Sequence, residues 1–394
     1  MKILLVTSDY PSSFSRHGGG LLSRRWMSQL AADNELNLLC FTDESGEAEK
    51  PDSLFRKVRL VPRPRGWLSL ARRAPLLIKY PVSVAANHSP LLAKTLADLV
   101  RRERFDLVQF DNFHMGRYIR NLPDGQPRVL CLQDVAGSVL RQLIRLASGR
   151  RKFALFQEWK KTSWWEKWFC IRAHNVMVMS LKDKRTVDSW DIGVKTFILP
   201  PLLDNAVFRV RVEGDGLPDI VFLGAMHRPG NLDAAYRLHR EILPLVAEKY
   251  PGIRFVIAGP DPPERLRTLA AENFIVIGPF ERIEDLFSRP CILAAPLRVA
   301  GGIIVKILEA MAAGVPVVAS QAANAGIGAP DEEAILLADR SRDVAGQLIR
   351  LLDNPELRAR LGEGGKSFLR QRYDSVLCRR EVGRIYAACA GNRA

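Results

Sequence analysis

Residues 291–320 read CILAAPLRVAGGIIVKILEAMAAGVPVVAS. Cys291–Ala295 is a short apolar run with strand character. A loop and the pair Gly301–Gly302 follow, then a helical run closed by Gly314 and Pro316, then a second apolar strand from Val317. Strands that are apolar throughout, joined by a helix, form parallel sheet covered on both faces. Inside the helical run Lys306 and Glu309 are three residues apart, on one side of the helix. Gly301 and Gly302 let a ligand approach the backbone closely. A helix start presents unpaired N–H groups to phosphate. Lys306 would add a charge there, and the Glu309 carboxylate can accept two hydroxyl hydrogens, as from a ribose. The same two side chains also fit an exposed ion pair at a helix start. No G-K-[ST] follows the glycines, so this is not a Walker A loop.

The pattern repeats on either side. DIVFLG, IRFVIAG, FIVIG and AILLA read as further strands of the second half. KILLVTS, LNLLCFT, FDLVQFD and RVLCLQD read as strands of the first half, with helical segments such as 231–248 and 342–353 between strands. The alternation pauses at 198–218, where Pro200, Pro201, Pro218 and two glycines mark a linker. A chain of 394 residues exceeds one ordinary core. The expectation is α/β: two doubly wound Rossmann-like domains facing a central cleft, with ligands outside the carboxyl ends of the strands.

Composition narrows the function. The net charge is +15. Residues 56–79 hold eight Lys/Arg and no acid, and residues 137–172 hold nine against Glu158 and Glu166, which together account for the whole excess. Such patches suit an anionic partner. Six scattered cysteines without a C-x-x-C pair argue against a disulfide framework or a zinc site and fit a reducing cytoplasm. The start, MKILLVTSDYP, reads as a first strand and not a signal peptide, and no apolar run reaches membrane-spanning length.

The stretch APLRVAGGIIVKILEAMAAGVPVVAS resembles the C-terminal donor-site motif of family 4 glycosyltransferases with the GT-B fold, in particular the bacterial exopolysaccharide and cell-surface sugar-transferase branch. The resemblance runs through 218–375, including IVFLGAMHRPGNLDAA, VIGPF and LLDNPELRARLGEGG, and is looser in the first half. It implies an acceptor-binding domain at 1–204, a nucleotide-sugar domain at 205–375, and a last segment, 376–394, crossing back to the first domain. It implies that Glu309 binds the nucleotide ribose and that Gly301, Gly302, Ile303 and Ile304 meet the pyrophosphate with Lys306 nearby. Ile277, Gly278 and Phe280 would hold the base, and Gly18, Gly19 and Gly20 would form a loop facing donor phosphates and acceptor. It also implies retention of configuration, no metal and no cofactor beyond a UDP- or GDP-type donor sugar.

The chain departs from that pattern at informative places. The second glutamate common in relatives is replaced by Gly301, the usual arginine by Ala225, and the usual histidine by Gln133, beside Asp134. Arg228 and Arg298 are candidates to supply the missing charge. Asp134, Lys306 and Arg228 are the catalytic candidates, and His114 is the acceptor-site candidate. Asp134 would equally serve as a helix cap. The expected acceptor is a glycan or a lipid-linked glycan. Rival readings are an inactive GT-B subunit serving a partner and a sugar-nucleotide epimerase.

Four of the seven tryptophans, Trp159, Trp164, Trp165 and Trp168, fall in the basic segment EWKKTSWWEKW. Trp with Lys at helical spacing suits an anionic membrane surface, which would place the chain peripherally on the inner face of the cell membrane. The same spacing suits a helix packing its tryptophans into a core. No nucleic-acid-binding signature is present, so nucleic acid is not expected as a partner.

Overall fold

The computed structural model describes residues 1–11, 18–42, 53–63, 74–212, 214, 216–280 and 282–391. Part of the basic segment (64–73) and the first two residues of RHGGG (16–17) lie outside them. The chain divides into two compact units. The first comprises Met1–Ser12, Ser23–Pro200 and Cys378–Ala394, and the second Ser13–Leu22 and Pro201–Leu377. Among the described residues no helix is long and apolar enough to cross a membrane.

The first unit holds a seven-stranded parallel sheet in the order β3-β2-β1-β4-β5-β6-β7. Its strands are β1 (Lys2–Thr7), β2 (Glu35–Thr42), β3 (Lys57–Pro62), β4 (Leu107–Asp111), β5 (Arg128–Leu132), β6 (Asn175–Val178) and β7 (Lys195–Ile198). The central strands are buried along almost their whole length, which is why they read as continuous apolar runs. Three strands, β3, β6 and β7, escape the sequence reading. β3 carries Lys57 and Arg59 on an exposed edge, β6 starts one residue after the helix Gly149–Ala173, and β7 opens on Lys195 and Thr196. An edge strand tolerates charge, and charge there discourages pairing with other chains. The helix Ser375–Gly391 returns to this unit from Cys378 onward; Val382, Ile385, Tyr386 and Cys389 are buried, and the Tyr386 hydroxyl pairs with Gln109 on β4.

The second unit holds a six-stranded parallel sheet in the order β10-β9-β8-β11-β12-β13. These are β8 (Asp219–Leu223), β9 (Phe255–Ala258), β10 (Phe274–Ile277), β11 (Cys291–Ala295), β12 (Val317–Ala319) and β13 (Leu336–Leu337). The sequence reading finds all six. In each sheet the strand order reverses once, between β1 and β4 and between β8 and β11. At such a reversal the flanking connections run to opposite faces and leave a crevice at the carboxyl ends.

The tryptophan-rich segment is one helix, Gly149–Ala173, and part of it packs into the core. Trp165 is buried between Tyr80 (ring centroids 4.4 Å apart) and Phe169 (5.4 Å). Its Nε1 donates to the Lys79 carbonyl at 2.7 Å. Trp164, one residue earlier, is 57% exposed.

Candidate active site

The reversal in the second sheet lies at the ends of β8 and β11. After β8 the chain turns at Gly224 and enters the helix Pro229–Arg237, with Arg228 as its exposed N-cap residue. After β11 it passes Arg298 and reaches Gly302, whose φ of +61° favours glycine. Ile303 and Ile304 follow, and the helix proper is Val305–Ala313. The helix therefore starts later than the glycines suggest, because the left-handed Gly302 and the extended Ile304 cap cannot belong to it. Lys306 sits in its first turn, and Glu309 one turn further along.

Lys306 donates to Asn231 Oδ1 at 3.0 Å, while Asn231 Nδ2 donates to the Ala225 carbonyl at 3.0 Å. The ammonium lies 4.1 Å from the centre of the Phe222 ring. A Cβ on Gly224 would come within 2.8 Å of Lys306 Nζ and 2.6 Å of Asn231 Nδ2, so only glycine leaves room for this pair. Burial, and secondarily the neighbouring Arg228 guanidinium, pull the Lys306 ammonium down to about 7. A buried cation with so little counter-charge is poised to gain from an anion. Glu309 is 7% exposed, so an exposed ion pair with Lys306 is not its arrangement. Asn231, Phe222 and Gly224 were not picked out as site residues by sequence; their neighbourhood emerges only when β8 and β11 lie side by side.

The remaining expected residues are more dispersed. Ile277 ends β10, the outer strand, and the Gly278 carbonyl accepts from Gly259 N at 3.2 Å. Ile277, Gly278 and Phe280 are each half-buried. Arg298 forks onto Asp233, with Nε 2.8 Å from Oδ2, which ties the β11 loop to the Pro229–Arg237 helix. Its charge is thus engaged already. Gly18, Gly19 and Gly20, expected in a loop, instead form the first turn of the helix Gly18–Ala31. A first turn tolerates glycine, and its N–H groups have no intrahelical partners.

The reversal in the first sheet, between β1 and β4, gathers residues that share no local motif. Asp111, the last residue of β4, accepts from Ser23 Oγ at 3.0 Å and from Gln133 Nε2 at 3.2 Å. Its other oxygen, Oδ1, has no hydrogen-bond partner among the described residues, and burial raises the carboxyl to about 6. Arg63, just past β3, reaches the Ser8 carbonyl at 2.5 Å and Asp9 Oδ1 at 2.6 Å. His114 stands beside them; burial lowers its imidazole to about 4, and its Nε2 has no hydrogen-bond partner among the described residues. Of these residues only His114 was singled out for the site by sequence. Asp134, half-buried, lies in the turn after β5, two residues before the helix Ala136–Leu146. That helix start is capped from the tryptophan helix: Glu166 accepts from Ala136 N at 2.8 Å and Gly137 N at 3.1 Å. Burial raises the Glu166 carboxyl to about 8 against the pull of those two bonds.

Comparison with known proteins follows this division. Residues 217–354 match the family described as glycosyl transferases group 1. At the sequence level no curated protein matches the chain. Solved structures match over nearly all of it. A sucrose-phosphate synthase from Thermosynechococcus elongatus superposes with a TM-score of 0.73 at 15% identity, covering 98% of each chain. HepE of Anabaena, in complex with UDP-glucose, gives 0.66 at 15% identity over 98% of this chain and 100% of its own. WaaG, a glycosyltransferase involved in lipopolysaccharide biosynthesis, gives 0.64 at 14% over 97% and 99%. The chain has the GT-B fold, and its second unit carries a glycosyl transferases group 1 region.

Proposed function

We propose that the chain is a glycosyltransferase that takes a sugar from a UDP- or GDP-type donor and passes it, with retention and without a metal ion, to a glycan or lipid-linked acceptor. The reading extends to surface polysaccharide or glycoconjugate synthesis at the cytoplasmic face of an anionic membrane. The observation that carries it is the cluster of Lys306, Asn231 and the Val305–Ala313 helix start at the β8/β11 reversal, inside the region matched by the glycosyl transferases group 1 family. The UDP-glucose bound to HepE and the lipopolysaccharide role of WaaG support the donor class and the pathway class.

The chemistry is electrostatic. Breaking the bond between the sugar and the diphosphate leaves charge on the departing phosphate. Lys306, the free N–H groups of the helix start and Arg228 are the groups assigned to meet it. Glu309 is assigned to the ribose hydroxyls. Asp134 and His114 are assigned to the acceptor side in the first unit.

A thermal-shift screen with UDP, GDP, ADP and TDP, and then with their sugars, tests this reading. One diphosphate should stabilise the protein more than its nucleoside does, and no stabilisation by any of them overturns it. Replacement of the usual histidine by Gln133, which is engaged by Ser23 and Asp111, favours the inactive-subunit reading as the second choice. Donor binding without turnover in the presence of acceptor would select that reading, and an epimerised sugar without acceptor would select an epimerase.

A further inference from the structure

A groove of about 530 Å3 in the first unit is lined by Lys79, Arg117, Arg120 and Arg172 over an aromatic floor of Tyr80, Trp165, Trp168 and Phe169, with Trp164 at its lip. Among the described residues no carboxylate lines it. Arg117 is only 9% exposed, and its Nη1 is buried with no hydrogen-bond partner among the described residues. The guanidinium sits 4.2 Å from the centre of the Tyr80 ring. A buried guanidinium with an unsatisfied donor costs stability unless an acceptor completes it. An anion in the groove would meet Arg117 together with the basic side chains of Lys79, Arg120 and Arg172 that line it.

The Arg172 end of the groove lies away from the Asp111 cluster of the first unit. Arg172 is in the last turn of the Gly149–Ala173 helix, immediately before β6 begins. That end of the helix lies toward the amino ends of the strands, opposite the edge that carries Asp111 and Asp134.

The rim indicates what carries the anion. Ile78 is 85% exposed, and Leu77, Trp164 and Ile171 are exposed with it. The backbone beside Ile78 is tied to the tryptophan helix: Lys161 Nζ donates to the Leu77 carbonyl at 2.9 Å, and Trp165 Nε1 to the Lys79 carbonyl. Exposed apolar side chains beside a cationic hollow suit an anion presented by an apolar phase. We propose that this groove binds the phosphate headgroup of an anionic membrane lipid, with Ile78 and Trp164 entering the interface beside it. The proposal rests on the membrane-surface part of the reading above and is independent of the transfer reaction.

The test uses the full chain and sedimentation with vesicles of phosphatidylcholine alone or mixed with phosphatidylglycerol. Arg120→Glu/Arg172→Glu reverses two exposed groove charges, and Arg101→Glu/Arg102→Glu reverses two exposed charges on another helix of the same unit. The expected result is binding to the anionic vesicles only, weakened about tenfold or more by the groove pair and less than about twofold by the control pair. Trp164→Ala should reduce the affinity that remains at high salt. Both charge-reversed proteins should keep the diphosphate thermal shift of the parent. Equal loss in the two pairs overturns the groove while leaving general electrostatic attachment standing. Absence of vesicle binding by the parent overturns both. Stabilisation of the parent by inorganic phosphate, lost in the groove pair but without any vesicle binding, assigns the groove to a soluble anion and overturns the lipid.

Discussion

The two sheets are built on one plan, yet they announce themselves differently. In the second unit the strand-end residues sit within one contiguous stretch, 291–320, and a neighbouring turn, 224–231. In the first unit the equivalent reversal collects Asp9, Ser23, Arg63, Asp111, His114 and Gln133 from positions spread over more than a hundred residues. A site that recognises a constant chemical group, such as a diphosphate on a ribose, can be built from one helix start and one glycine turn. A site that recognises a variable partner is assembled from single side chains on separate loops, where each can change alone. The second unit should therefore fix the donor class and the first unit the acceptor.

The largest effect that would break this division is expected at Glu309. Glu309→Ala should abolish detectable nucleotide binding, with Glu309→Gln nearly as damaging, while circular dichroism and the unfolding transition of the first unit stay at parent values. Titration calorimetry with the diphosphate found in the screen is the measurement. Parent-like affinity in Glu309→Ala would show that the ribose lies elsewhere. Next comes Lys306→Ala, expected to weaken the diphosphate by about ten- to a hundredfold, the worth of a charge-assisted contact of roughly 1.5–3 kcal/mol. The bare nucleoside should bind within about twofold of the parent, because its partner there is not phosphate. Equal losses for both ligands would make Lys306 a structural residue held by Asn231 and Phe222.

What could be read in advance follows the same line. All six strands of the second sheet were legible, since each is a short apolar run beside a turn signal. The glycine pair, Lys306 and Glu309 were legible as a candidate site because glycines before a helix and two charges three residues apart within it stand out in an apolar stretch. Asn231 was not, since its role depends on β8 and β11 pairing across more than seventy residues of intervening chain. In the first sheet β6 was lost because it starts one residue after a long helix, β7 because it opens on Lys195 and Thr196, and β3 because its charges resemble a basic patch. Asp111 was lost for another reason. It ends an apolar strand and looks like an ordinary strand terminus, and only its buried, half-satisfied carboxyl marks it. The tryptophan helix offered two readings because it does two things: Trp165 packs the core, and Trp164 borders the groove.

Glu166 sharpens the comparison from the other side, because it links that helix to the Asp134 turn. Glu166→Gln keeps the shape but turns an amide toward one of the two N–H groups it now caps. One buried donor is left unsatisfied, at about 1–3 kcal/mol. The expected outcome is a lower unfolding midpoint for the first unit in urea, reduced transfer to acceptor, and unchanged donor affinity. A fall in donor affinity of the same size would show that the two units do not divide the work as proposed.

The smallest effect separates the two sites by titration. The Lys306 ammonium is held at about 7 in the free protein by burial, and a bound diphosphate would raise it by stabilising the charged form. Binding then takes up a proton above pH 7. Diphosphate affinity should be full about one unit below pH 7, about half of that at pH 7, and fall as pH rises further, by at most about tenfold per pH unit, until the liganded lysine itself deprotonates. Asp111, at about 6, is already ionised there, and His114, at about 4, is already neutral, so neither contributes. Glu166, at about 8, does titrate in this range, and Lys306→Arg retains it while keeping a permanent charge beside the phosphate. If affinity in Lys306→Arg is flat from pH 7 to 9 while the parent declines, the response belongs to the second unit. A parallel decline in both proteins would assign it to Glu166 and the first unit, and would remove the lysine from the phosphate.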